Sequence, residues 1–258
     1  MTDVQPRIEW LDDSTVSIDG FNFLVSADPR VYQYGLSDNE RFLLLKDSPY
    51  LRECVGRFLT AAHRNVVELG IWQGGSVVFW NLALKPERQL AIDLWDRSVE
   101  PLAMFVHGDQ HHGKLDVRFG IDQADPAALE QAIDKTFGDE PLDIVIDDAS
   151  HAYPETRSSF ETVFPRMRPG GTYVIEDWPW AHSEDMSWDA TGFTRDRPSL
   201  GNLIVELMLV CGADSGIIDD IQITPRAVHV RRGSTPIDGP FRLSSHYFNR
   251  GLPYRPLL

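Results

Sequence analysis

Residues 65–93 read NVVELGIWQGGSVVFWNLALKPERQLAID. Val66-Val67-Glu68-Leu69 reads as a strand, residues 70–76 as a glycine-containing turn, and 77–84 as a helix. A second strand follows at 89–92 and ends at Asp93. The same alternation continues outward, with strands at 117–120, 142–146 and 172–175 and helices at 126–137, capped by Asp125, and 154–167. After a tryptophan-rich segment at 177–197, a helix at 200–210 precedes a hairpin of 217–223 and 227–230 that turns at Thr224-Pro225. Strands alternating with helices predict a doubly wound, parallel α/β sheet, closed here by an antiparallel hairpin.

Upstream of this core, β-prone runs at 8–10 and 16–25 flank Asp12-Asp13-Ser14 and predict an N-terminal hairpin. The cap-like cluster Ser37-Asp38-Asn39-Glu40 precedes Phe42, Leu45, Leu51, Val55, Phe58, Leu59 and Ala62 at roughly helical spacing. That pattern predicts a long helical lead-in with a break at Ser48-Pro49.

The chain has 258 residues and a formal charge of −15. The acidic bias, with no run of five basic residues, argues against nucleic acid or an anionic membrane as partner. No apolar signal region or membrane span is legible, and Cys54 and Cys211 read as small core residues, so a reducing cytoplasm is expected.

In an open α/β sheet, ligands bind beyond the carboxyl ends of the strands. Glu68, Gly70, Gly74 and Ser76 lie at the first such end. A dinucleotide fingerprint counted from Gly70 requires glycine where Trp72 stands, which disfavours a nicotinamide-dependent oxidoreductase and favours a cofactor without phosphates. Asp93 can accept two ribose hydroxyls or serve as a loop cap, and Asp122-Gln123 either reads an adenine edge or makes a turn.

The richest constellation is Asp147, Asp148 and His151 after the fourth strand with Glu176 and Asp177 after the fifth. Clustered carboxylates repel unless a cation or protons intervene, and an all-oxygen set suits Mg²⁺, with Mn²⁺ or Ca²⁺ also compatible. His151, three residues past Asp148, is placed to act as a general base on an alcohol acidified by such a metal. Trp178, Trp180 and Trp188 form a lid, an acceptor-binding loop, core packing or a subunit interface. Tyr32, Tyr34 and the segment 246–250 are further candidates for the same mouth. His107, His111 and His112 are separated from any common helix by Gly108 and Gly113 and are not expected to form a metal cluster.

The pattern Glu68-x-Gly70-x-x-x-Gly74-Gly75-Ser76, with Asp93 and Ile146-Asp147-Asp148-Ala149-Ser150-His151, resembles class I S-adenosylmethionine-dependent methyltransferases. Residues 148–177, including Phe164-Pro165 and the run Pro169-Gly170-Gly171-Thr172-Tyr173-Val174-Ile175-Glu176-Asp177, resemble the macrocin and mycinamicin sugar O-methyltransferases. Related enzymes methylate mycobacterial mannosides.

The resemblance implies a Rossmann-like seven-stranded sheet with a final antiparallel strand. It implies S-adenosylmethionine at Glu68, Gly70, Gly74, Ser76, Asp93, Asp122, Gln123 and Asp147, and Mg²⁺ at Asp148, Glu176 and Asp177. His151 and Asp148 become the catalytic pair, with Trp178, Trp180 and Tyr34 facing a sugar or glycoside acceptor. The whole of 1–258 is then one methyltransferase domain: hairpin extension 1–36, helical lead-in 37–64, Rossmann-like core 65–232 and C-terminal tail 233–258. A homo-oligomer, most simply a dimer, is expected. The competing readings are methylation of a non-sugar diol or catechol, and a non-catalytic S-adenosylmethionine-binding partner of an oxygenase.

Overall fold

The computed structural model describes residues 7–28, 30, 37–38, 41–96, 99–182, 196–213 and 216–257. Its centre is a seven-stranded sheet in the order β10-β11-β9-β8-β5-β6-β7. Five parallel strands, β5 (Asn65–Leu69), β6 (Arg88–Asp93), β7 (Lys114–Phe119), β8 (Leu142–Asp147) and β9 (Met167–Glu176), carry the fold. β11 (Ala227–Arg232) runs antiparallel between β9 and β10 (Ile218–Ile223), as the hairpin reading expected.

Helices cover both faces. α2 (Gly75–Leu84) and α3 (Glu100–His107) pack with α1 (Ser48–Phe58) on one side, and α4 (Pro126–Phe137), α5 (Tyr153–Val163) and α6 (Gly201–Gly212) on the other. Cover on both faces explains why β5 and β8 are buried at every residue and carry mostly apolar side chains rather than an alternating pattern. α4 begins where predicted because the Asp125 carboxylate accepts the backbone N–H groups of Ala127 and Ala128 at 3.0 and 3.2 Å.

Three expectations are corrected. The N-terminal hairpin is part of a second, four-stranded sheet of β1 (Ile8–Trp10), β2 (Thr15–Ile18), β3 (Phe21–Val25) and β4 (Arg41–Leu44), with β4 parallel to β3. The helical lead-in accordingly shrinks to α1. Phe42, Leu43 and Leu44 are consecutive buried residues, which a helix face and a covered strand share as a pattern. Asp47 decides the boundary by capping α1 through the N–H of Tyr50 at 3.2 Å, with Pro49 in the first turn. The helix foreseen at 154–167 likewise stops at Val163, passes through a 3₁₀ turn at Phe164–Arg166 and yields to β9.

The small sheet is fused to the main body. Val16, Ile18, Phe23, Phe42 and Leu44 share one apolar cluster with Val77, Phe79 and Trp80 of α2. At Gly75 a Cβ would collide with the Leu43 carbonyl, so β4 rests directly on the start of α2. Cys54 is buried and Cys211 half-buried, and both are free thiols. Among the described residues no helix is long and apolar enough to cross a membrane.

Candidate active site

A cavity of about 540 Å³ opens at the carboxyl ends of the parallel strands. Its wall on the β5–β6 side is built by backbone constraint. Gly70 has φ +94°, and a Cβ there would strike the Asp148 carbonyl, so only glycine lets the β5 and β8 ends close on each other. The Asp148 N–H also donates to the Leu69 carbonyl at 2.9 Å. Asp93 ends β6 with its carboxylate turned back on the glycine loop. One oxygen accepts the N–H groups of Ile71 and Trp72 at 2.9 and 3.1 Å, and the other accepts that of Trp95 at 2.8 Å. Trp72, where a dinucleotide loop has glycine, adopts φ +46° despite its side chain.

The cavity floor is a buried polar network. Asp147, 2% exposed, accepts hydrogen bonds from the Ser159 and Tyr173 hydroxyls, both at 2.7 Å, and from the Gln123 amide at 3.2 Å. The Gln123 carbonyl accepts the Ser150 N–H at 2.8 Å. Burial raises the Asp147 pKa, and these donors oppose the rise. Gln123 lines the cavity with its amide already engaged, while Asp147 lies beneath, bracing the β8 loop. Asp122 also lines the cavity and accepts the Ala124 N–H at 2.8 Å.

At the β8–β9 side, Asp148, His151 and Asp177 each bring one potential ligand atom within 4.8 Å of the others. No other such group of three occurs among the described residues, His107, His111 and His112 included. His151 and Asp177 both hold φ +53°, a conformation that costs a non-glycine residue about 1 kcal/mol or more and recurs where geometry is imposed by function. His151 Nε2 lies 3.9 Å from Asp148 Oδ1. Trp180, at the start of a 3₁₀ turn, packs in a tilted contact against the His151 ring.

The implied metal set is divided differently. Glu176 faces the Lys46 ammonium, which also donates to Asp148 Oδ2 at 3.0 Å. Burial pushes both the Glu176 and Asp177 carboxyls upward, and Lys46 opposes this. Glu68 sits below the glycine loop, where burial pushes its carboxyl up to about 8 against the pull of Ser76 and Lys46. Gly70 and Ser76 line a small neighbouring cavity of about 40 Å³ with Lys46 and Asp148, and Gly74 packs against Leu102. Trp178 is held away from the large cavity by its indole N–H on the Thr224 carbonyl at 2.8 Å. Tyr247 of the tail is also elsewhere, bonded to Glu206 at 3.0 Å. Tyr32, Tyr34 and Trp188 lie outside the described residues. Lys46 is the residue sequence reasoning missed; as one lysine ending an apolar run, it carried no motif.

Residues 67–178, from the middle of β5 to just past Asp177, match the family model described as a methyltransferase domain. That stretch is similar to a methyltransferase domain. The demethylmacrocin O-methyltransferase of Streptomyces fradiae is 34% identical to it over 143 residues, 53% of this chain and 33% of that protein. The mycinamicin VI 2''-O-methyltransferase of Micromonospora griseorubida is 35% identical over 127 residues, 44% of this chain and 28% of that protein. The match thus spans about a third of these relatives' own length. Among solved structures, the methyltransferase MycE of the mycinamycin pathway, in complex with Mg, SAH and mycinamycin VI, aligns with a TM-score of 0.52 at 26% identity. That alignment covers 74% of this chain and 50% of MycE. The seven-stranded sheet thus matches the class I methyltransferase arrangement, with β11 as its antiparallel strand.

Proposed function

We propose that this chain is an S-adenosylmethionine-dependent O-methyltransferase that methylates a hydroxyl of a sugar or glycoside, with Mg²⁺ at the acceptor side and His151 as general base. The observation that carries the reading is the convergence of Asp148, His151 and Asp177 on the rim of a cavity whose far wall is Gly70 and Asp93. The cavity's charge fits both cofactors: Asp93, Asp122, Asp148, Glu155 and Asp177 line it, and no lysine or arginine does among the described residues. A sulfonium and a divalent cation suit such walls, whereas a pyrophosphate is repelled. The naming of the relatives supports the sugar hydroxyl as acceptor.

In this reading the backbone at Gly70, the acceptor site left on Asp93 Oδ1 and the loop at Asp122-Gln123 hold S-adenosylmethionine, with Asp147 bracing the floor. Asp148 and Asp177 hold Mg²⁺, and Glu176 completes the set if Lys46 releases it. When bound, the two supply an electrophilic methyl group and a lowered acceptor pKa. His151 takes the hydroxyl proton, and Trp180 fixes the imidazole and offers its indole to the apolar face of a sugar ring. Much of the rate gain is orientation, because a bound donor and a positioned hydroxyl react as one unit.

The test is transfer of a labelled methyl group from S-adenosylmethionine to a panel of rhamnosides, mannosides and simple catechols, with Mg²⁺ and with chelator. Metal-dependent labelling of a glycoside is expected. Labelling of catechols alone would remove the sugar acceptor, and failure to bind S-adenosylhomocysteine would remove the methyltransferase reading.

A further inference from the structure

The acid cluster contains a counter-charge delivered from outside the matched domain. Lys46 lies in the connection between β4 and α1, and its side chain is 5% exposed. Its ammonium donates to Asp148 Oδ2 at 3.0 Å and to Glu176 Oε2. The ammonium is enclosed with these two carboxylates as its ion-pair partners, so a positive charge is built into the acid cluster. Asp148 is therefore shared: Oδ2 faces Lys46, while Oδ1 faces His151 within the Asp148, His151 and Asp177 group.

We propose that Lys46 is a positioning residue that stands in for a divalent cation, holding Asp148 and Glu176 in place without metal and weakening metal binding through its hold on Asp148. The proposal rests on the metal reading given above. Asp148, Glu176 and Asp177 cluster at the β8 and β9 ends, where like charges repel, and the Lys46 ammonium between Asp148 and Glu176 relieves that repulsion. The same ammonium repels a divalent cation approaching Asp148 and engages Glu176, which would otherwise be a further ligand. The outcome is a site preformed before metal arrives, from which the metal exchanges readily.

The experiment titrates Mg²⁺, up to millimolar concentration, into the full chain and into its Lys46→Met and Lys46→Arg variants by calorimetry, with thermal melts in EDTA and in Mg²⁺. Lys46→Met is expected to bind Mg²⁺ at least about tenfold more tightly than the parent. It should also melt lower in EDTA and recover most of that loss in Mg²⁺, while Lys46→Arg behaves as the parent. A Lys46→Met chain that binds Mg²⁺ no more tightly, or loses the same stability with and without metal, overturns the proposal and leaves Lys46 a packing charge. Equal Mg²⁺ affinity in all three chains removes this proposal alone; absence of binding in all three removes the metal reading and the proposal with it. If Lys46→Met does not fold, Lys46→Gln, which keeps N–H donors without the charge, is titrated instead with the same expected order.

Discussion

The imidazole of His151 and the indole of Trp180 lie with ring centroids 4.1 Å apart and planes tilted by 43°. Trp180 is tied back to the β9 end by its N–H on the Asp177 carbonyl at 3.3 Å, so one short turn fixes both the proposed base and its neighbouring acid. Replacing Trp180 by Ala removes the surface that holds the imidazole. The expected result is a fall of about tenfold or more in kcat, because a base displaced by about 1 Å loses its alignment. Affinity for S-adenosylhomocysteine, measured by calorimetry, should stay within about twofold, since the cofactor wall lies at Gly70 and Asp93.

His151 itself gives a sharper split. His151→Gln keeps a polar side chain but cannot accept a proton at neutral pH, and a general base contributes about 10²–10⁴-fold to rate. Single-turnover methyl transfer should fall by that order, with cofactor binding unchanged. Wild-type turnover in the variant would mean that His151 serves only to pack against Trp180.

Asp93 has a structural and a binding role that can be separated. Asp93→Ala leaves the N–H groups of Ile71, Trp72 and Trp95 without their acceptor, at a cost of about 1–3 kcal/mol in urea unfolding. Asp93→Asn keeps one oxygen acceptor, so it should unfold closer to the parent while still weakening cofactor affinity. Equal cofactor affinity in Asp93→Asn and the parent would place the ribose contact elsewhere.

Stability should fall on mild acidification for a reason remote from the cavity. His229 on β11 is 3% exposed, and burial, with Arg57 nearby, lowers its pKa from 6.5 to about 4. The unfolded chain therefore takes up a proton near pH 6.5 that the folded chain refuses until about pH 4. The His229 contribution is complete above pH 6.5 and is lost as pH falls through the window between those values, the loss reaching about 3 kcal/mol at its low end. Urea unfolding at a series of pH values checks this, and His229→Phe should flatten that part of the profile.

Periodicity located the parallel strands because burial on both faces leaves them as compact, mostly apolar runs between glycine and acidic punctuation, as at β5 and β8. It failed at β4, where a short apolar run was read into a helix, because what makes it a strand is its pairing with β3 and what starts α1 after it is the Asp47 cap on the Tyr50 N–H. The site was legible to the same degree. Strand ends announced Asp93, Asp148, His151 and Asp177, because topology alone carries them to one mouth. Lys46 was invisible because its meaning comes from residues 102 and 130 positions away. Gln123 and Asp147 were visible as polar residues at strand ends, but whether they face a ligand or one another is decided by the Ser159 and Tyr173 hydroxyls, which belong to other elements.

The direct seating of β4 on α2 at Gly75 bears on how this protein can be recombined with its relatives. Transplanting residues 67–178 into another scaffold would carry over the acidic strand ends and the glycine loop but leave behind both the strand that presses on that loop's helix and the lysine that follows it. A working chimera needs its crossover upstream of Arg41, so that the small sheet's last strand, the ammonium and the acids travel as one inheritable block.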